Sequence, residues 1–140
     1  MLQTYNIPAH FSPNCRVWVF IGARALDATE TTWVNEQLIA FTNTWQTHGK
    51  AMNATGFVFA QHALVIAANE EGVQASGCSM DKINHLVRQI GNELGIDFFA
   101  RMNTLVKEND QWTLSQFDPS ESRQTISALT QLLGELLKDF

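Results

Sequence analysis

The stretch Arg16–Ala23, RVWVFIGA, is apolar at both alternating sets of positions, and this constrains the fold more than any other feature of the chain. Successive side chains of a β-strand point to opposite faces, so Val17 and Val19 share one face while Trp18 and Phe20 share the other. A strand that is apolar on both faces is normally central in its sheet. We therefore predict that this first strand is central.

Two helices are predicted from start and stop signals around apolar residues at helical spacing. Asp27-Ala-Thr-Glu30 is a capping-box pattern at the start of the first helix, and His48-Gly49 predicts its end because glycine readily adopts the left-handed conformation. The second helix is predicted to start near Ser79 and to end at Gly95. The apolar stripes of the two helices are Val34, Leu38, Phe41 and Trp45, and then Ile83, Leu86, Val87, Ile90 and Leu94.

Four further strands and a last helix complete the predicted elements. The strands are expected at Phe57–Ala60, Leu64–Ala68, Met102–Lys107 and Trp112–Gln116, with Asn109-Asp110 as the turn between the last two. Asp118-Pro-Ser-Glu121 predicts the start of the last helix, since Asp118 can cap it and Pro119 suits its first position. The apolar stripe of that helix is Ile126, Leu129, Leu133 and Leu136.

The order of these elements predicts an α+β fold with a ferredoxin-like β-α-β-β-α-β core, an extra strand and a C-terminal helix. Two right-handed crossovers would place both helices on one face of an antiparallel sheet. The chain of 140 residues carries no internal repeat or linker, so we predict a single domain over residues 1–140, with residues 1–14 as an extended N-terminal arm.

Composition limits the classes of partner. The net charge is −5 and the basic residues are scattered, so we expect no nucleic-acid binding. No apolar run approaches the length of a membrane span, no signal peptide is evident, and the two cysteines are typical of a reducing compartment, so we expect a cytoplasmic protein. Only 16% of the residues are charged and 10% are aromatic, which predicts a homo-oligomer because uncovered apolar surface favours association.

The segment Ala75-Ser-Gly-Cys-Ser-Met-Asp81 is the main candidate site, because small residues run directly into the second helix. The first amides of a helix have no internal partners and carry partial positive charge, so such a place can hold an anion or stabilise a thiolate. Cys78 is thus a candidate nucleophile, and Ser76, Gly77 and Ser79 are candidate ligand-binding residues. In the plain alternative, Ser79 is an ordinary cap and Cys78 a small buried residue, while Asp81 opposes an anion.

Other side chains could assist this segment. Arg101 could bring positive charge to an anionic ligand or lie over the core, and His48 could act as a base or stabilise a helix end. No histidine and cysteine stand at a metal-ligand spacing, so we expect no metal site, and no cofactor is predicted. No phosphate-binding loop of the GxxxxGK[ST] type is present, so we expect no ATP hydrolysis.

Three short motifs resemble a family of small bacterial proteins of uncharacterised function that often carry the label "ABC transporter ATPase". They are Trp45-x-x-His48-Gly49, Ser76-Gly-Cys-Ser79-x-Asp81 and Asp97-x-Phe99-x-Arg101. The resemblance implies no activity, and the label does not fit a chain without nucleotide-binding motifs.

Three functions remain open on the sequence. We expect first a non-enzymatic binding or protein-interaction module that self-associates. The alternatives are a small thiol-dependent enzyme that uses Cys78, and an anion-responsive regulatory module whose ligand lies at the start of the second helix.

Overall fold

The computed structural model describes residues 7–137, which form helices and antiparallel sheets of the α+β class. The elements in chain order are β1 (Arg16–Ile21), α1 (Ala28–Thr44), β2 (Gln46–Thr47), β3 (Lys50–Ala51), β4 (Asn53–Phe59), β5 (Ala63–Asn69), α2 (Gly77–Leu94), β6 (Asn103–Glu108), β7 (Gln111–Gln116), β8 (Thr125–Ser127) and α3 (Leu133–Leu137).

The main sheet is antiparallel and has the strand order β1-β5-β4. β5, and not β1, is its middle strand, which corrects the prediction that the first strand is central. The first six residues of β5 are all buried, because both its faces and both its edges are covered. Val19 lies opposite Val65 in the register of β1 with β5.

Both long helices pack on one face of this sheet. Val34 and Leu38 of α1 and Val87 of α2 are fully buried in one cluster with Leu64 and other residues of β5. The Asp27–Glu30 capping box and the Gly95 cap, which has a left-handed φ of 68°, are both present as predicted.

A second antiparallel sheet, with the order β7-β6-β8, contributes to the core on the opposite face. Leu105 of β6, Ile126 of β8 and Leu133 of α3 are completely buried in the cluster that contains Val17 and Val19. β1 therefore has apolar cover on both faces although it lies at the end of its ladder. A strand at the end of its sheet can therefore be apolar on both faces, as the sequence of β1 is.

The strand order β1-β5-β4 is the order expected for the first three strands of a ferredoxin-like sheet. β6 would be the fourth strand, but its ladder partners in the described chain are β7 and β8. The ferredoxin-like topology therefore stays a prediction.

His48-Gly49 does not end α1. The helix ends at Thr44, and Trp45 follows in an extended conformation. His48 and Gly49 have φ values of 51° and 77° and form the two-residue turn between β2 and β3. Positive φ at both central residues is typical of a type I′ turn, whose twist matches that of a hairpin. Asn109 and Asp110 have the same positive φ pattern in the predicted hairpin of β6 and β7.

The predicted helix after Asp118 is wrong. Asp118 instead accepts bonds from the backbone and hydroxyl of Ser120 in an exposed turn. Ile126 pairs with Leu105 as part of β8, and after Asp118 only Leu133–Leu137 is helical among the described residues. Pairing with β6 and complete burial in the core stabilise Ile126 in a strand despite its helical spacing from other apolar residues.

The predicted arm of residues 1–14 is only partly described. Residues 1–6 lie outside the described range, and Phe11 is buried in the core cluster of β1. None of the helices between residues 7 and 137 is both long enough and apolar enough to span a membrane.

Candidate functional site

The segment from Ser76 to Ser79 forms the first turn of α2. Ser76, and not Ser79, is the cap: its hydroxyl accepts from the Ser79 N–H at 3.2 Å, and the Ser79 hydroxyl accepts from the Ser76 N–H at 2.6 Å. These reciprocal bonds satisfy two amides of the segment within the protein itself. Ser79 is almost completely buried, which makes it unavailable to a ligand.

Cys78 is exposed at the second position of α2, which corrects the alternative of a buried cysteine. Within residues 7–137, no hydrogen bond joins Cys78 to a histidine. His48 lies exposed in its hairpin turn, and Gly77 has open space around its α-carbon. The structure therefore gives the thiol access to solvent but no paired base, which a cysteine nucleophile would need.

Trp45 holds the start of α2 in place. Its Nε1–H donates to the Ser79 carbonyl oxygen at 2.9 Å in the core, and its ring packs edge-on against Trp18 with 5.6 Å between centroids. Trp45 and Ser79 belong to two of the three sequence motifs, and the contact between them stabilises the fold. Trp18, which contacts Trp45, also lines a cleft beside β1.

The cleft beside β1 has a volume of about 570 Å³, within the range typical of ligand pockets. Arg101, which the sequence singled out, lines it. Ser76, Gly77, Cys78, Ser79 and His48 do not line it. The structure thus separates Arg101 from the other candidate residues. It adds lining residues that were not site candidates on the sequence, among them Arg16, Trp18, Phe99 and Leu132.

Five consecutive residues of β1, Arg16 to Phe20, line this cleft. At one end, the Val17 N–H donates to the Gln131 carbonyl at 2.9 Å, and at the other the Asn103 side-chain amide donates to the Ile21 carbonyl at 3.2 Å. Backbone groups alternate in direction along an antiparallel strand, so the N–H and C=O of Val19 also point away from β5. Between the two contacts, no strand pairs with this edge in the part of the chain described.

Cationic and aromatic side chains surround the edge. The Arg16 guanidinium lies 4.8 Å from the centroid of the Trp18 ring, a cation–π distance. Phe20 packs edge-on against Phe99, and Arg101 also lines the cleft. Because planar guanidinium groups match carboxylate and phosphate in geometry, these arginines suit an anionic ligand.

Neither Arg16 nor Arg101 has an ion-pair partner among residues 7–137. The ion pairs of the described chain join Arg24 to Glu30, and Arg123 to Glu108 and Glu121. Hydrogen bonds from Arg24 and then from the Asp27 backbone lower the pKa of Glu30 to about 2. Hydrogen bonds from the Arg123 side chain and backbone likewise lower the pKa of Glu121 to about 2. Glu30 and Glu121, whose pKa values are both lowered to about 2, therefore pair with arginines that do not line the cleft.

Glu70 is the acidic residue that lines the cleft. Its Oε2 accepts from the Ala75 N–H at 2.8 Å, which anchors the loop before α2. One of its oxygens is thereby occupied by the protein. Its charge disfavours an anion near this part of the lining, so an anion is favoured near the arginines.

Exposed apolar side chains border the cleft. Phe99 and Leu132 line it and are 36% and 43% exposed. Leu129, at 56%, is in the segment that contributes Ala128 and Thr130 to the lining, and Met102 follows Arg101. Apolar groups next to unpaired backbone and charged groups are typical of a recognition surface.

No group of three or more potential metal-ligating side chains occurs in residues 7–137. The sequence contained one indirect sign of the cleft, since Arg16 stands two residues before Trp18 and so shares its strand face. Comparison of the chain with models of known protein families, with curated proteins and with solved structures found no match to any of them.

Proposed function

We propose that this protein is a non-enzymatic binding module, and that the cleft beside β1 binds an anionic ligand. The observation that carries the proposal is that Arg16 and Arg101 line one cleft and form no ion pair within the described chain. The chain has nine basic residues and a net charge of −5, and two of the nine line this cleft. Two cations left unpaired in an acidic protein are available for an external anion.

The chemistry of the lining favours binding over catalysis. No cysteine or histidine is among the described residues that line the cleft. Its polar side chains include Asn84, Thr130 and Gln131, which donate and accept hydrogen bonds without titrating near neutral pH. Cys78 lies elsewhere, and no described bond gives it a base, so the thiol-enzyme alternative gains no support from geometry.

Self-association is a second candidate property, favoured by the exposed Leu129, Leu132 and Phe99 at the border of the cleft. A second copy could cover this apolar surface. Light scattering over a range of concentrations tests it, and a monomer throughout would contradict it. The ferredoxin-like plan also remains part of the proposal, supported by the order β1-β5-β4 with both long helices on one face.

The anion proposal is tested by titrating the full chain with citrate, inorganic phosphate and pentaglutamate, followed by calorimetry and amide chemical shifts. Arg16→Gln and Arg101→Gln should each weaken binding of at least one anion about tenfold, since each removes a charge-assisted hydrogen bond. Lys50→Gln is the control, because it removes one positive charge from the exposed β3. Equal binding by all variants, or no binding of any of the three anions, would contradict the proposal.

A further inference from the structure

We infer that the ligand of the cleft is a small aromatic acid, whose flat ring lies against aromatic side chains and whose anionic group pairs with Arg101. The inference rests on the proposed function and names the class of its ligand. The side chains that it uses are exposed or half-buried, so solvent already reaches them. These lining residues are Arg16, Trp18, Phe20, Phe99 and Arg101.

Three of these side chains offer aromatic surface to a ligand. Trp18 and Phe20 stand two residues apart in β1, so they share one face of the strand at a spacing of about 7 Å. The Phe20 ring packs edge-on against Phe99 with 5.6 Å between centroids, and Phe99 remains 36% exposed. Aromatic pairs attract one another beyond the area that they bury, so this surface favours a flat ring.

Arg16 favours an aromatic ring over an aliphatic chain. Its guanidinium lies over the Trp18 ring at 4.8 Å from the centroid, and Trp45 packs edge-on against the same indole. These contacts hold both side chains in place before a ligand arrives, which lowers the entropy lost on binding. A guanidinium attracts the face of a ring, and Arg16 has no ion pair within residues 7–137, so it is available to the ring of a ligand.

The size of the cleft fits an organic acid better than an inorganic ion. Water occupies about 30 Å³ per molecule in the liquid, so a cleft of about 570 Å³ has room for about fifteen to twenty non-hydrogen atoms. Inorganic phosphate is far smaller and would leave the aromatic lining in contact with water. A ring that carries an acid group would cover this lining and supply the anion together.

The charges near Arg16 disfavour the acid group at that end of β1. Arg16 lies opposite Ala68 in the register of β1 with β5, so Glu70 lies beyond the Arg16 end. Glu70 accepts from the N–H of Ala75 just before α2, which brings the start of that helix, with Asp81, to the same end. Two carboxylates and one arginine leave this end negative, so it repels an anion.

The other end of the cleft favours the acid group. Phe99 contacts Phe20 there, and Arg101 follows two residues later. The Arg88 guanidinium lies 5.1 Å from the Phe99 centroid, and Asp97 uses one carboxylate oxygen to accept from the Phe99 N–H at 2.8 Å. Two arginines and one carboxylate leave this end positive. Of the two arginines, Arg101 lines the cleft and is the partner for the anion.

The test compares three probes by calorimetry on the full chain: naphthoate, naphthamide, which has the ring without the charge, and decanoate, which has the charge without the ring. Naphthoate should bind at least about tenfold more tightly than either, because it alone offers both an anion and an aromatic face. Nuclear Overhauser effects should join its ring protons to the ring of Phe99.

Variants assign the roles of the side chains. Arg101→Gln should weaken naphthoate about tenfold and Arg16→Gln about threefold, since the first loses a charge-assisted hydrogen bond and the second a cation–π contact. Phe99→Leu should weaken it at least about threefold. Phe117→Leu is the matched control, because Phe117 is 44% exposed and does not line the cleft. Phe117→Leu and Lys50→Gln should leave the affinity unchanged.

The outcomes separate this inference from the proposed function. If decanoate binds as tightly as naphthoate and both depend on Arg101, the aromatic class is wrong and the anion site stands. If naphthoate does not bind while citrate or phosphate binds through Arg16 and Arg101, the class is again wrong and the site stands. If naphthamide binds as tightly as naphthoate, the acid group is not recognised and the inference fails. If no acid or anion depends on these arginines, both proposals fail.

Discussion

Trp45 donates its indole N–H to the carbonyl oxygen of Ser79, and this bond joins the end of α1 to the first turn of α2. Only 2% of Trp45 is exposed, so the bond lies where water does not compete for it. Two of the three resemblance motifs are therefore in contact to support the fold. The proposed binding cleft is a different place, beside β1, and Trp18 lines it.

Replacing Trp45 by phenylalanine should lower the free energy of unfolding by about 1–2 kcal/mol, because the hydrogen bond is lost and the smaller ring packs less well. Urea denaturation at pH 7 measures the change. Trp33→Phe is the matched control, since Trp33 packs against the same core cluster from α1. An equal loss for both variants would contradict a specific role for the bond to Ser79.

The stability contributed by Glu30 should depend on pH. Hydrogen bonds from Arg24 at 2.8 and 2.9 Å, together with one from the Asp27 N–H, lower the pKa of Glu30 to about 2 from its ordinary 4.5. A lowered folded-state pKa contributes stability above pH 4.5 that is lost as pH falls towards 2.

Glu30→Gln should therefore be less stable than the parent at pH 7, and the difference should shrink between pH 4.5 and pH 2. Urea midpoints at pH 7, 4 and 2.5 measure it. Glu36→Gln, at an exposed position of α1, should show no such dependence. A difference for Glu30→Gln that stays constant over this range would show that the ion pair contributes nothing.

Two glycines should respond oppositely to alanine. Gly49 has a φ of 77° with no atom within 4 Å of an added Cβ, so Gly49→Ala meets backbone strain alone and should cost about 1 kcal/mol. Gly77 begins α2 without a positive φ and with open space, so Gly77→Ala should stabilise by about 0.5 kcal/mol. Thermal unfolding of both variants measures this. If Gly49→Ala proved neutral, His48-Gly49 would not form the left-handed turn.

The two cysteines should react at different rates. Cys78 is exposed and Cys15 is 5% exposed, so iodoacetamide should modify Cys78 at least about tenfold faster in the folded protein. Mass spectrometry of each cysteine peptide over time gives the two rates, and urea should make them similar. Equal rates in the folded state would contradict the placement. Cys78→Ser should leave binding of the cleft ligands unchanged, whereas a loss of binding would tie the thiol to recognition.

Strong local signals predicted most of the elements. The capping box of Asp27 and Glu30, the Gly95 cap and the Asn109-Asp110 turn depend on residues a few positions apart, and all three occur in the structure. Caps and turns of this kind can be predicted from the sequence because the residues that form the sequence pattern are the same residues that form the structure.

Errors arose where a distant partner decides the conformation. Ile126 lies at helical spacing from its apolar neighbours, but in the structure it pairs with Leu105 of β6 and is part of a strand. His48-Gly49 after a helical stretch fits a helix end as well as a hairpin turn, and strands of two residues are too short to show alternation.

The candidate site was only partly readable for the same reason. Arg101 could be singled out from its neighbours, but its relation to Arg16 exists only after β1 and the segment before β6 come together. The unpaired edge of β1 at Val19 is likewise a property of strand order, which the sequence of β1 alone does not specify.

The contact between α3 and the residues before β1 affects the order of events on the ribosome. Leu133 N–H donates to the Cys15 carbonyl at 2.8 Å, and Gly134 packs so closely on Pro13 that an added Cβ would lie 2.9 Å from it. Translation produces β1 long before Leu133 exists, so the apolar face that contains Val17 must remain without this part of its cover during synthesis. A chain stalled between the two segments should therefore be a substrate for chaperones that bind exposed apolar strands, until translation supplies the segment that closes the core.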